Sequence, residues 1–372
     1  MSGTIKSLLI HTRTFLSVKN QSAVLLASLL IGFGTPVFAA GKSYQWRLAY
    51  TWPDDFPLFT VSIKNMVNYA KTLSGGRLNI TIEGGTTHKK PFGIFDMVKS
   101  NDYQMGQSAG FYWIDKDVNT ALLCTIPFGM VAQERYAWFY HGGGNELTQK
   151  VYSTHGLMSF PSGNIGMQMG GWFKKEINTV EDLKGLKMRI PGLGGTVMKA
   201  LGVDAINLPA SELADALKSG ELDAVDWANP AIDLGMNLYQ DAKYYYTGWQ
   251  EPAVELQFLV NQEAYQSLPE DLQGILNISM KLAAFEAFTN YHHHNIIKLQ
   301  ELRSKHKDIK IRSFPTSVTR ALSRETDKQL QVLANSGNEL TREIVESLRN
   351  YQEKARLWSR IGDQAYLNNA GL

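Results

Sequence analysis

The chain of 372 residues carries 37 basic and 35 acidic side chains, is 44% hydrophobic and has one cysteine, Cys124. A balance this close to neutral gives no electrostatic footprint for nucleic acid or an anionic membrane, and a lone cysteine excludes an internal disulfide. The apolar share is that of a folded globular protein, and the length exceeds what one core usually serves, so two domains are expected.

Residues 1–21 hold Lys6, Arg13 and Lys19 and no acid, Ala23 to Phe33 is almost continuously apolar, and Val37-Phe38-Ala39 places small residues at the flanking positions of a cleavage site. The apolar run, roughly 11 residues, falls short of the roughly 20 that span a bilayer, and Pro36 interrupts its continuation. Segment 1–39 is therefore expected to be a secretory signal cleaved after Ala39. Its removal leaves 34 basic residues against 35 acidic ones.

Beyond it, strand and helix patterns alternate. Trp46–Tyr50 reads as a strand, Leu58–Leu73 as a helix, Leu78–Ile82 as an alternating strand and Ile94–Lys99 as a helix. A second region repeats this pattern: strand Lys187–Ile190, helix Thr196–Leu201, strand Ala205–Leu208, helix Ser211–Gly220 and strand Ala224–Trp227. Two α/β lobes follow. Gly156–Phe173 and Trp249–Val260 are apolar runs too long for one ordinary strand and suited to crossing between lobes, which predicts a cleft with a two-strand hinge. Leu268–His306 keeps helical spacing with no proline after Pro269, and a strand at Ile309–Phe314 and helices at Thr316–Ala334 and Asn338–Asn369 complete the chain. Trp358, Ile361, Ala365 and Tyr366 share one face of the last helix, which must dock on its own lobe or on a second subunit.

The chemistry concentrates at Lys187–Gly195, where a short apolar strand carries Arg189 and meets a glycine-rich turn that opens a helix. A guanidinium can hold both oxygens of a carboxylate, and a helix N-terminus adds free N–H groups, so a small carboxylate is the expected occupant. The glycines lack dinucleotide-fingerprint spacing. Tyr140-His141-Gly142-Gly143-Gly144 lacks the residues of a phosphate loop and reads as a helix terminus. His292-His293-His294 sit on a helix with successive side chains about 100° apart, so they cannot share a metal. Cys124 lies in an apolar run and reads as a buried structural thiol. No nucleophile elbow or metal-binding histidine pair supports an enzyme.

Polar groups also stand where strands meet the expected cleft. Gln168 lies on the first crossing segment, Asp226-Trp227 end a strand, and Glu251 lies near the start of the second crossing segment. Two carboxylates beside one arginine and a carboxylate ligand leave excess negative charge, which a hard cation would relieve. Acids at strand ends also commonly cap a helix or face water.

On these residues a family resemblance stands out. QMGGWFKKEINTVEDLKGLKMRIPGLGG (168–195), YHGGG (140–144), LDAVDW (222–227) and YYYTGWQE (244–251) resemble the solute-binding proteins of tripartite ATP-independent periplasmic (TRAP) transporters, especially the 2-oxoacid- and lactate-binding group. The resemblance runs from about Tyr44 through the helical tail. It implies an α/β, two-lobed periplasmic solute-binding fold with hinge strands, a long helix and a helical C-terminal tail. The implied layout has a first lobe of 40–166 and 259–314, a second lobe of 167–258, and a tail of 315–372 able to join a homodimer. It also implies a periplasmic binding protein, not an enzyme, that delivers a small organic acid anion to a sodium-driven membrane permease. Arg189 would clamp the carboxylate, Gln168 would assist, and Phe111 and Tyr112 would line the pocket. Asp226, the Trp227 carbonyl and Glu251 would hold Na⁺ or Ca²⁺ against the ligand, with no organic cofactor.

Three departures bear on the ligand. The oxoacid group usually reads Glu-Trp-Val-Gly-Pro-Tyr where this chain has Asp226-Trp227-Ala228-Asn229-Pro230-Ala231, and Gly-Trp-Trp-Glu where it has Gly248-Trp249-Gln250-Glu251. An aspartate draws the ligating oxygen back by a methylene, and the losses at Ala231 and Gln250 are expected to widen the site or make it more polar. Segment Gly84–Phe92, with His88, Lys89 and Lys90, departs from a run usually reading Gly-Glu-Leu-Val-Pro-Gly, and its cations either meet a second carboxylate or face water. A larger hydroxy- or dicarboxylate is thus an alternative to a 2-oxo or hydroxy monocarboxylate, and a ligand sensor feeding a receptor is an alternative to transport.

Overall fold

In the computed structural model the described residues are Lys42–Gly371 apart from Asp55 and Pro57. The expected signal segment 1–39 lies outside them. In chain order the strands are β1 (Tyr44–Tyr50), β2 (Leu78–Glu83), β3 (Met105–Ala109), β4 (Leu157–Asn164), β5 (Gly171–Phe173), β6 (Lys187–Arg189), β7 (Asp204–Ile206), β8 (Ala224–Val225), β9 (Tyr244–Tyr246), β10 (Glu255–Asn261) and β11 (Lys310–Arg312).

Two sheets result, one for each lobe. The first has the order β2-β1-β3-β10-β4 and the second β11-β9-β5-β8-β6-β7. β1 pairs in parallel with both β2 and β3, while β10 runs antiparallel between β3 and β4. Helix Val61–Leu73 makes the crossover from β1 to β2, burying Ile63, Met66 and Ala70 at the three- and four-residue spacing of one helix face. β3 and helices Val118–Cys124, Ala132–His141 and Gly144–Ser153 extend the first lobe beyond the elements read from the sequence. Cys124 is buried at the end of one of them and is a free thiol, as expected.

Helix Glu270–Lys305 links the lobes. It packs on helix Val61–Leu73 and β4 in the first lobe and on helix Pro230–Asp233 in the second, then delivers the chain to β11. β11 pairs with β9, so the end of segment 259–314, expected in the first lobe, belongs to the second sheet. The long helix has already carried the chain across.

Helix Thr316–Ala334 packs against helix Gly192–Ala200 of the second lobe, whereas helix Glu339–Ile361 packs on three helices of the first. The last expected helix, Asn338–Asn369, is broken: Gly362 leaves helical geometry, at φ −89° and ψ −108°, and helix Asp363–Asn369 follows. Ile344, Val345 and Leu348 dock, but Leu357, Trp358, Ile361 and Tyr366 stay exposed.

The two crossing segments lie side by side. The N–H of Ile165 donates to the Val254 carbonyl at 3.0 Å, that of Gln168 to Glu251 at 3.1 Å, and that of Gly170 to Tyr246 at 2.7 Å. Where both leave the first lobe, buried Glu255 accepts from the Gly163 N–H at 3.3 Å and from the Asn164 amide at 3.1 Å. Burial pushes this carboxyl up from 4.5 to about 7, against the opposing effects of Asn164 and Arg135. The fold thus favours the protonated acid. Its contribution to stability is complete below about pH 4.5 and is lost as pH rises through about 7. Glu255→Gln should flatten this dependence, and thermal melts from about pH 5 to 8 check it. Parallel curves for variant and wild type would show that Glu255 does not titrate there.

Candidate functional site

Arg189 ends β6, flanked by β7 and β8, and is 1% exposed. Its Nε donates to the Leu208 carbonyl at 3.2 Å, Nη1 to the Asp226 carbonyl at 2.6 Å and Nη2 to Asn207 Oδ1 at 3.4 Å. The guanidinium carbon stands 4.9 Å from the centre of the Trp227 ring. Each of these hydrogen bonds ends on a neutral oxygen, so they fix the group's direction without cancelling its charge. A guanidinium has five N–H donors, and a buried cation in this state attracts an anion.

The glycines beyond Arg189 form the first turn of helix Gly192–Ala200 rather than a separate turn before it. Gly192 adopts φ +60°, and a Cβ there would lie 2.8 Å from Cβ of Phe111 in the other lobe. A Cβ on Gly195 would meet the Ile190 carbonyl oxygen at 2.4 Å. The glycines therefore allow the helix start to press against the opposite lobe.

Phe111, Tyr112, Gln168, Arg189, Trp227 and Glu251 all line one small cavity of about 20 Å³ between the lobes. They share it with Trp52, Phe59 and Pro191, which the sequence analysis did not single out; Trp52 follows β1 directly, and its place at a strand end was the available signal. Gln168 is 2% exposed, and its Oε1 has no hydrogen-bond partner among the described residues. Burial pushes the Tyr112 hydroxyl up, and the neighbouring Arg189 guanidinium opposes that shift.

Asp226 is the one expected site residue that does not line the cavity. Its carboxylate is fully buried: Oδ1 accepts from Gln250 Nε2 at 2.7 Å, while Oδ2 has no described partner. Burial raises the pKa of both Asp226 and Glu251; for Glu251 the charge of Asp226 adds to the effect, and for both Arg189 opposes it. Two buried carboxyls beside one guanidinium supply hard oxygen donors of the kind that suit Na⁺ or Ca²⁺. Among the described residues no group of three or more His, Cys, Asp or Glu side chains could hold a metal ion, so backbone and ligand oxygens would have to complete the shell.

Gln250 and Ala231, where a wider or more polar site is expected, are not among the residues lining the cavity. Gln250 is buried and hydrogen-bonded away from the cavity, and Ala231 is 9% exposed with its N–H donating to Asn295 of the long helix at 2.9 Å. Asp233 steadies the intervening loop, accepting from Trp172 Nε1 at 3.0 Å, the Tyr245 hydroxyl at 2.7 Å and the Ala228 N–H at 3.0 Å. Room exists elsewhere. Trp52, Tyr112 and Trp227 also line an outer groove of about 340 Å³, with Lys89 on its first-lobe side and Glu212 on its second-lobe side. His88, by contrast, is occupied by the Tyr50 carbonyl at 2.9 Å, and His292–His294 lie on the long helix, away from this cavity.

Comparison with known proteins shows the family. Residues 48–336 match the family model described as bacterial extracellular solute-binding protein, family 7. The chain is 33% identical over 335 residues to the monocarboxylate 2-oxoacid-binding periplasmic protein of Nostoc sp. (strain PCC 7120), covering 90% of this chain and 91% of that one. It is 51% identical to a TRAP periplasmic solute-binding protein from Pseudoalteromonas atlantica T6c solved with sodium and pyruvate, with a TM-score of 0.87 over 88% of this chain and 99% of that one. It is 50% identical to another from Colwellia psychrerythraea solved with calcium and pyruvate, with a TM-score of 0.87 over 88% of this chain and all of that one. The chain belongs to family 7 of the bacterial extracellular solute-binding proteins, the extracytoplasmic ligand-capturing components of TRAP transport, and not to a family of enzymes.

Proposed function

We propose that the protein captures a small 2-oxo monocarboxylate of the pyruvate class in the periplasm, together with Na⁺ or Ca²⁺, and hands the acid to a sodium-coupled permease. The observation that carries this reading is the buried Arg189 guanidinium, held by neutral oxygens and lining an inter-lobe cavity that Glu251 also lines. Arg189 takes the carboxylate through parallel hydrogen bonds, and Gln168 turns its amide toward the same anion. Asp226, the Trp227 carbonyl and Glu251 hold the cation, which supplies positive charge to the ligand's oxygens. The pyruvate-bound relatives, with sodium in one and calcium in the other, support this reading. The exposed apolar residues of the last two helices, from Leu357 to Leu367, support a homodimer through the C-terminal tail.

The outer groove favours a second reading in one respect. It shares Trp52, Tyr112 and Trp227 with the cavity and is also lined by Lys89, which offers a cation to the polar tail of a longer acid. Native mass spectrometry of the mature protein with pyruvate, longer 2-oxoacids and dicarboxylates, each with Na⁺, Ca²⁺ or chelator, tests these readings together. The expected species is a dimer carrying one acid and one cation per chain. A protein that retains no acid under any cation would end the binding reading, and monomers throughout would end the dimer.

A further inference from the structure

Gln250 stands where the usual pattern of similar proteins has a tryptophan, and its amide joins three parts of the molecule. Its Oε1 accepts from the Trp249 N–H at 3.2 Å, and its Nε2 donates to the Met169 carbonyl at 2.7 Å and to Asp226 Oδ1 at 2.7 Å. Both amide hydrogens are therefore committed, one to the first crossing segment at Met169 and one to Asp226 at the end of β8. Gln250 is 0% exposed, and a Cβ on Gly194 would come within 3.2 Å of its own Cβ, so packing also restrains the side chain.

The consequence for Asp226 is an asymmetric carboxylate. One oxygen is held by a neutral donor, and the other, Oδ2, is buried without a described partner. A buried carboxylate oxygen lacking a donor is costly, and here Gln250, on the second crossing segment, restrains the carboxylate through its other oxygen. We infer that Gln250 is a positioning residue for the cation: it holds Asp226 as a one-oxygen ligand and so favours the smaller coordination shell of Na⁺ over that of Ca²⁺. The inference rests on the proposed cation site. The physical basis is ligand number, since Ca²⁺ takes about 6–8 oxygens and readily accepts both oxygens of one carboxylate. Releasing Oδ1 would supply one more.

Calorimetric titration of the mature protein with Na⁺ and with Ca²⁺, with and without pyruvate, tests this in Gln250→Met, which keeps the volume and removes the donors. Na⁺ affinity should fall about 10- to 100-fold, the range seen when a group orienting a metal ligand is lost, while Ca²⁺ affinity falls less. The Ca²⁺/Na⁺ affinity ratio therefore rises. Gln250→Asn, which retains an amide but withdraws it by a methylene, should move the ratio in the same direction and serves if Gln250→Met does not fold. Asp226→Asn should erase the effect of Gln250→Met, because the two side chains act through one oxygen. An unchanged ratio in a folded Gln250 variant, or additive effects in the double variant, would overturn the inference while leaving the proposed site standing. A wild-type protein with no cation response would overturn both.

Discussion

Arg189→Ala should lose its organic acid almost completely while the two sheets remain folded. The substitution removes two charge-assisted hydrogen bonds to the ligand, each contributing about 1.5–3 kcal/mol, so affinity should fall by roughly two to four decades. It also removes the positive charge that now restrains Asp226 and Glu251, and both carboxyls should become harder to ionise. The Leu208 and Asp226 carbonyls lose their donors as well, so some stability is lost with the ligand. Arg189→Lys separates charge from geometry: it keeps the cation but not the planar fork, and should recover only part of the affinity. Calorimetry at fixed cation concentration, with circular dichroism to confirm folding, measures the effect. Wild-type affinity in a folded Arg189→Ala protein would remove this residue from the site.

Gly248→Ala should be among the most damaging single-methyl additions in the molecule. Its Cβ would stand 1.9 Å from the Gln168 carbonyl oxygen, an impossible approach between two backbone segments. Neither segment can easily yield, because Gly170 bonded to Tyr246 and Gln168 bonded to Glu251 hold them together on either side. We expect a loss of more than about 3 kcal/mol in urea unfolding, or a spreading of the crossing segments that displaces Gln168 and weakens ligand binding. Gly166→Ala is the matched control, since Gly166 has φ +74° but nothing within 4 Å of an added Cβ, and should show only the cost of left-handed backbone, about 1–2 kcal/mol. Equal losses in the two variants would show that contact between the crossing segments does not constrain the hinge.

The parts of the molecule legible in the sequence are those where one physical signal dominates. Helical spacing marks the long helix, alternation marks β1 and β2, and a charged fork at a strand end before glycines marks Arg189. β3 escaped because Met-Gly-Gln-Ser-Ala has no apolar alternation; it is buried on all sides because β1 and β10 cover both its edges and neighbouring elements cover its faces. The break at Gly362 escaped because the apolar face continues through it. Asp226, Gln168 and Glu251 were legible as polar groups near strand ends, but the contact between Gln250 and Asp226 was not. Residues 24 positions apart meet only because the second crossing segment returns beside β8, and no local periodicity encodes that meeting. For the same reason Gln250 read as a lost aromatic when it is an added hydrogen-bond donor.

The order of strands in the first sheet also dictates an order in time. β10 occupies the place between β3 and β4, yet in the chain it follows the entire run from β5 to β9. A growing polypeptide that has reached Asn164 holds four of the sheet's five strands and lacks the one that joins them. About ninety more residues must appear before β3 and β4 can be bridged, and contacts at such separation form slowly. The first sheet therefore closes only after the chain has passed through β9, and β4, whose one neighbour in that sheet is β10, waits for a partner until then.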